Sequence, residues 1–172
     1  MKKIICTLFI TSLIATASLS QVRVGPFLAY GDRLGLWGLG AYSEILLNDR
    51  VSISPVFTQY FPENFDNIPR KTVWEVNGNV NYYVIRGEVG YLYGLAGLNF
   101  TNIKIRTTTA TTDEVENDGN LGVNFGLGTM VRINDLILPF AEGKYTAGGY
   151  SQFSLIFGVK FHLGDGSLEE DY

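Results

Sequence analysis

The sequence predicts an all-β chain: an eight-stranded antiparallel up-and-down transmembrane β-barrel that follows a signal peptide. Three observations carry this expectation. A short basic and apolar leader opens the chain, apolar residues then recur at every second position through eight runs, and the connections between those runs alternate in length.

The leader is MKKIICTLFITSLIATASLS, residues 1–20. Lys2 and Lys3 precede a mostly apolar stretch from Ile4 to Ala17, and the small residues Ser18 and Ser20 flank an expected cut before Gln21. The alternative is a membrane anchor, but the apolar run falls short of the ~20 residues a spanning helix needs. Cys6 is the only cysteine, stands too early for lipid attachment, and is expected to leave with the leader. The remaining 152 residues divide into one domain, 21–163, and an acidic tail, 164–172. Loss of Lys2 and Lys3 takes the formal net charge from −4 to −6, and that acidity argues against nucleic acid as a partner. Without cysteine, the domain draws its stability from backbone pairing and burial.

Twenty glycines, ten tyrosines and eleven phenylalanines suit strands, and after the leader no segment reaches the length of a spanning helix. A chain of this kind crosses a membrane only as a closed barrel, because every backbone N–H and C=O must pair inside lipid. The eight alternating runs are Val22–Tyr30, Leu34–Leu47, Val51–Phe61, Thr72–Ile85, Glu88–Thr101, Asn120–Ile133, Leu136–Thr146 and Ser151–Leu163. Pro139, inside the seventh, implies an edge strand, a bulge or a position near the strand's start. Every second connection is tight: Asn48–Arg50, Arg86-Gly87 and Asn134-Asp135. The others include the long polar segments Pro62–Lys71 and Asn102–Gly119, with shorter ones at Gly31–Arg33 and Ala147–Tyr150. Short periplasmic turns alternating with longer external loops are the pattern of outer-membrane barrels.

The faces of the runs differ in chemistry. In the last run Phe153, Leu155, Phe157, Val159, Phe161 and Leu163 oppose Gln152, Ser154, Ile156, Gly158, Lys160 and His162. In the fourth, Trp74, Val76, Val80, Tyr82 and Val84 oppose Glu75, Asn77, Asn79, Asn81 and Tyr83; the third and sixth alternate likewise. Val89–Leu98 is apolar or small on both faces, so its phase stays open. In the seventh run Glu142 and Lys144 share a face with Leu136, Leu138 and Phe140, and the charges are assigned inward. Alternation alone does not say which face meets water. A soluble ligand-carrying barrel would turn the apolar face inward. Glycine and asparagine on the polar face suit a cramped lumen, and Phe61, Trp74 and Phe153 near strand ends suit an interfacial girdle.

The segments GLWGLGAYSEILLNDRVSISP (35–55), YGLAGLNF (93–100), NFGLGTMV (124–131) and LPFAEGKY (138–145) resemble the eight-stranded outer-membrane barrel family typified by OmpX and the membrane domain of OmpA. The resemblance spans the chain after the leader and rests on pattern. It implies residence in the bacterial outer membrane, both termini in the periplasm, and contact with outer-membrane lipid, lipopolysaccharide and the barrel-assembly machinery. It also implies a monomer with a structural or surface-interaction role, in adhesion or envelope integrity. The closing FGVKFHL (157–163) is similar to the family's assembly signal, with Gly158, Phe161 and Leu163 in the matching places. The tail 164–172 departs from relatives that end on an aromatic of the last strand.

Charges inside the expected strands are the candidate site. Glu44, Glu75 and Glu142 with Arg132, Lys144 and Lys160 fall on the presumed lumen face, and Arg23 joins them near the periplasmic rim. Burying such groups unpaired costs several kcal/mol, so near-equal signs point to a paired plug filling a barrel only just wide enough for side chains. An ion path lined by the same residues is the alternative. His162, the only histidine, has no evident nucleophile or orienting acid, and one histidine makes no metal site. Asp113, Glu114, Glu116 and Asp118 lack the spacing of a calcium loop. YGLAGLNF lacks phosphate-loop spacing. No catalytic, cofactor or metal residue is therefore assigned. The threonine-rich stretch Thr107–Thr112 extends the hairpin as a surface for partner strands, through 62–71 and 102–119. The alternatives to a structural role are a narrow pore for ions or small solutes, a lipid-modifying enzyme, and a soluble periplasmic ligand-binding barrel.

Overall fold

Asparagine makes two of the tight connections. Asn48 Oδ1 accepts hydrogen bonds from the backbone N–H of Arg50 and Val51, both at 2.9 Å. Asn134 Oδ1 does the same for Leu136 at 3.0 Å and Ile137 at 2.7 Å. A side chain that satisfies its own following backbone reverses the chain at low cost. In the computed structural model, which describes residues 22–62, 70–109 and 112–163, these turns join consecutive strands. The strands are β1 (Val22–Gly31), β2 (Leu36–Leu46), β3 (Val51–Tyr60), β4 (Arg70–Arg86), β5 (Gly90–Thr109), β6 (Thr112–Val131), β7 (Ile137–Gly148) and β8 (Gln152–Leu163). Each pairs antiparallel with the next, and β8 returns to β1 through pairs such as Phe161 with Val24 and Gly158 with Phe27. The barrel is closed, with eight strands in sequence order. The expected leader and acidic tail lie outside the described residues.

Five strands measure 10 to 12 residues, the length that crosses a bilayer at a tilt. The others differ from expectation. β4 has 17 residues, and β5 and β6 have 20 each. The segment 102–119 is therefore not a long loop: its residues pair in register from Asn102 with Gly119 to Thr109 with Thr112. Alternating Ile103 and Ile105, followed by threonines, continue the strand period past the membrane. The segment 62–71 likewise gives its last two residues, Arg70 and Lys71, to β4. We call this the hairpin end and the opposite one, with the tight turns, the turn end.

The prolines fall where a donor is not needed. The β6–β7 ladder ends at Met130 with Phe140, one residue short of Pro139, so Pro139 sits near the start of a strand that is paired on both sides. The β1–β8 ladder skips Gly25 and Pro26, and the β2–β3 ladder skips Ser54 and Pro55. Gly25 also lets β1 press against β8, since a Cβ there would meet the carbonyl oxygen of Val159.

Side-chain direction is inverted relative to a water-soluble protein. Leu121 is 75% exposed and Leu98 70%, while Glu44 and Lys160 are 0% exposed. A broad apolar wall with charges inside is what lipid outside demands. Aromatic pairs ring the wall toward the hairpin end: Tyr30 with Trp37, Trp74 with Phe57 and Phe100, and Phe125 with Tyr145. In β7, Glu142 and Lys144 point inward with Leu138 and Phe140; in β5, Tyr91, Tyr93 and Leu95 point inward.

The lumen is less polar than its glycine and asparagine content implies. Phe27, Tyr42, Tyr93, Met130 and Phe140 belong to one buried cluster inside it. Glycines make the room. Phe27 lies opposite Gly40 on one side and Gly158 on the other, Tyr93 opposite Gly128, and Phe140 opposite Gly158. A Cβ at Gly40 or Gly128 would run into the facing ring. A second cluster, Leu36, Tyr60, Val73 and Ile103 with Leu34, Ile105 and Tyr150 against it, packs across the mouth at the hairpin end.

Candidate functional site: a charged lumen

Glu44 lies near the turn end of β2, on the inward phase that its neighbours Tyr42 and Leu46 share. Its Oε2 lies 3.0 Å from Lys160 Nζ and 3.6 Å from Arg23 Nη1. Its Oε1 accepts hydrogen bonds from Ser52 Oγ at 2.6 Å and from the Tyr83 hydroxyl. Barrel closure makes this possible, because β1 lies between β2 and β8 and brings Arg23 opposite both Glu44 and His162. Lys160 Nζ also lies over the rings of Tyr42 at 4.0 Å, Phe140 at 4.8 Å and Tyr93 at 5.1 Å. Ring faces carry negative charge, so this cage stabilises an ammonium that has left water.

A second charged layer lies toward the hairpin end. Lys144 Nζ stands 3.8 Å from Glu75 Oε2 and donates to Asn77 Oδ1 at 3.0 Å. Gln152 Nε2 donates to Glu75 Oε1. Asn77 Oδ1 also accepts from Asn99 and Asn124, each at 2.8 Å, and Thr146 Oγ1 donates to Asn124 Oδ1 at 2.8 Å. Amides here act as both donor and acceptor and link β4, β5, β6 and β7 across the lumen. Between the layers, Glu142 Oε2 accepts from the Tyr93 hydroxyl at 3.0 Å.

Five of the six named lumen charges are thus buried inside: Glu44, Glu75, Glu142, Lys144 and Lys160. Arg132 is not. β6 stops at Val131, the Arg132 N–H bonds to the Val89 carbonyl at 2.9 Å in the turn, and its side chain reaches the Tyr91 hydroxyl at the rim. The cation inside at that level is Arg23, 3% exposed, so among the described residues Arg23, Lys144 and Lys160 face Glu44, Glu75 and Glu142 within the barrel. Gly158 faces the lumen as the floor beneath Phe27 and Phe140, while Phe161 and Leu163 follow at the turn end of β8. Sequence reasoning missed the aromatic cage around Lys160. Its one signal is the pairing of inward aromatics with glycines, which becomes visible only once the registers are known.

No protein-family model matches the chain, and no curated protein is similar to it in sequence. Solved structures are similar in fold. The N-terminal β-barrel domain of Pseudomonas aeruginosa OprF superposes with a TM-score of 0.63 at 16% identity, covering 83% of this chain and 97% of that one. Ail, the attachment invasion locus protein of Yersinia pestis, gives 0.58 at 14% identity over 84% and 97%. A major outer membrane protein of Thermus thermophilus gives 0.60 at 9% identity over 84% and 100%. The wall, the strand order and these superpositions agree: the chain has the fold of the small eight-stranded outer-membrane β-barrels.

Proposed function

We propose that this chain is an integral outer-membrane barrel with a structural and surface-interaction role, exported behind residues 1–20, with its turn end in the periplasm and its hairpin end outside. The observation that carries this reading is the filled lumen. Two hydrogen-bonded charge layers enclose an aromatic belt, and an apolar cluster packs across the outer mouth. A barrel of eight strands has little interior left once its side chains are placed, so the geometry supports a rigid wall over a conduit. We assign it no catalytic step. Gly158, Phe161 and Leu163 serve in this reading as the handle for barrel assembly. The extended β5–β6 hairpin supplies the surface for external partners, and Ail, which is similar in fold, is named for attachment and invasion.

Refolding into detergent, followed by gels of heated and unheated samples and recordings in planar bilayers, tests this. The expected outcome is a compact unheated band with no steady conductance. Steady large currents from the same preparation would replace it with the pore reading, and recovery as a detergent-free periplasmic protein would overturn membrane residence.

A further inference from the structure

His162, the one histidine of the chain, stands at the turn end of β8 on the inward phase that Lys160 shares. Its partner across the β1–β8 ladder is Arg23, and Glu44 faces Arg23 from the other side. Arg132 comes to the same rim one residue after β6 ends, where its guanidinium donates to the Tyr91 hydroxyl. The Cζ atoms of Arg23 and Arg132 lie 5.8 and 5.6 Å from the centroid of the Tyr91 ring, so two guanidinium groups share one buried ring. The charges that act on His162 are those of Arg23, Arg132 and Asp135.

This rim holds more positive charge than its acids answer. Three cations, Arg23, Lys160 and Arg132, gather against two carboxylates, Glu44 and Asp135, which leaves an excess of one unit. Glu44 is fully engaged: Oε2 meets Lys160 and Arg23, and Oε1 accepts from Ser52, Tyr83 and Asn81. Asp135 is exposed in the turn, and among the described residues Arg132 makes no ion pair. Two buried nitrogens of the facing pair, Arg23 Nε and His162 Nε2, also have no partner among the described residues, and Arg23 as a whole is 3% exposed. A buried N–H without an acceptor is costly to keep. One oxyanion can serve both nitrogens, because residues directly opposite in a sheet hold their Cβ atoms about 5 Å apart.

We propose that Arg23, Arg132 and His162 form a carboxylate site at the turn-end mouth of the lumen. A carboxylate carries the single negative charge that the rim lacks, and guanidinium holds it through two parallel hydrogen bonds. His162 supplies a further donor through Nε2. Arg23 and His162 face the lumen and not the wall, so the ligand arrives from water at the turn end, past the half-buried Arg132, and not from lipid. Two sources offer that chemistry. Asp165, Glu169, Glu170 and Asp171 follow β8 in the sequence, and a tether raises their local concentration. Free carboxylates in the surrounding water are the other. The site requires the closed barrel, and it is independent of the surface-interaction reading and of whether the lumen conducts.

Because the chain has one histidine, the His162 ring signals in a nuclear magnetic resonance spectrum report on the site directly. The test refolds the barrel with residues 164–172 attached in neutral detergent, and adds sodium acetate against sodium chloride at fixed pH and ionic strength. A second protein, D165N/E169Q/E170Q/D171N, removes the acids that follow β8. With a free carboxylate as the ligand, acetate gives the same saturable shift in both proteins. With the chain's own acids as the ligand, the second protein has shifted His162 signals before any addition, and acetate moves them saturably back toward those of the wild type. In whichever protein responds, Arg132→Gln should need about tenfold more acetate, the loss of one charged hydrogen bond, and Arg132→Lys should need less than Arg132→Gln. Arg86→Gln, at the same end but paired with Asp49, should leave the response unchanged. An unheated compact band shows that each variant is folded. No saturable shift beyond that of chloride in either protein would overturn the site. So would an equal weakening by Arg86→Gln and Arg132→Gln, which would assign the response to surface charge at large. Loss of the compact band in the wild type would instead count against the barrel itself.

Discussion

Glu44 and Glu75 are both carboxylates buried in one lumen, yet they are held differently. Glu44 meets two cations, and the ammonium of Lys160 at 3.0 Å is itself enclosed by three aromatic rings. Glu75 meets one cation at 3.8 Å, and that cation keeps a second acceptor in Asn77. The turn-end layer is direct and aromatic, and the hairpin-end layer runs through amides. The difference teaches that burial alone does not rank these residues, since both are nearly inaccessible. What ranks them is the partner each leaves behind. Among the described residues Lys160 donates its hydrogen bond to Glu44, whereas Lys144 also donates to Asn77.

The largest expected effect is therefore at Glu44. Glu44→Ala leaves Lys160 and Arg23 without their carboxylate and should cost about 3–5 kcal/mol, seen as a lower temperature for conversion of the compact band. A loss no greater than that of Glu75→Gln would erase the distinction between the layers. Glu44→Met combined with Lys160→Met should lose less than Glu44→Ala alone, because it leaves Arg23 as the one buried cation without its carboxylate where Glu44→Ala leaves two. A loss equal to or larger than that of Glu44→Ala would show that the stranded ammonium is not what the single substitution costs. Glu142→Ala removes the acceptor of the Tyr93 hydroxyl and should cost about 1–3 kcal/mol by the same gel assay. Glu75→Gln keeps the Gln152, Thr101 and Asn77 framework and should cost about 1 kcal/mol. The smallest effect belongs to Glu116→Ala on the outer hairpin, within about 0.5 kcal/mol, since the site is exposed and outside the lumen. A ranking with Glu116 above Glu142 would break the comparison altogether.

Much of this was legible along the chain. The tight turns at Asn48 and Asn134 announce themselves because their side chains bond to backbone only two and three residues away. The inward phases of Glu75, Glu142 and Lys144 follow from alternation within single strands. The long hairpin was harder to see, because 102–119 is polar enough to read as loop although Ile103, Ile105 and the threonines keep the strand period. Arg132 was assigned inside on phase alone. Its side chain stands half-buried at the turn-end rim, on the hydroxyl of the inward Tyr91, because β6 ends one residue earlier. Phe27 and Tyr93 were not legible as lumen residues, for each is admitted by a glycine on a neighbouring strand.

By itself, the sequence determined the number of strands, their period and the alternation of their connections, because these depend on residues within a few positions of one another. Tertiary structure alone decided which face met lipid and at what height each charge sat. Glu44 and Lys160 are 116 residues apart, and nothing in either neighbourhood names the other as its partner. They meet because β8 closes onto β1 in one register, with Gly158 opposite Phe27 and His162 opposite Arg23. A one-residue slip at that seam would turn every inward side chain of β8 to the wall, so closure in this register is what converts scattered charges into a layer.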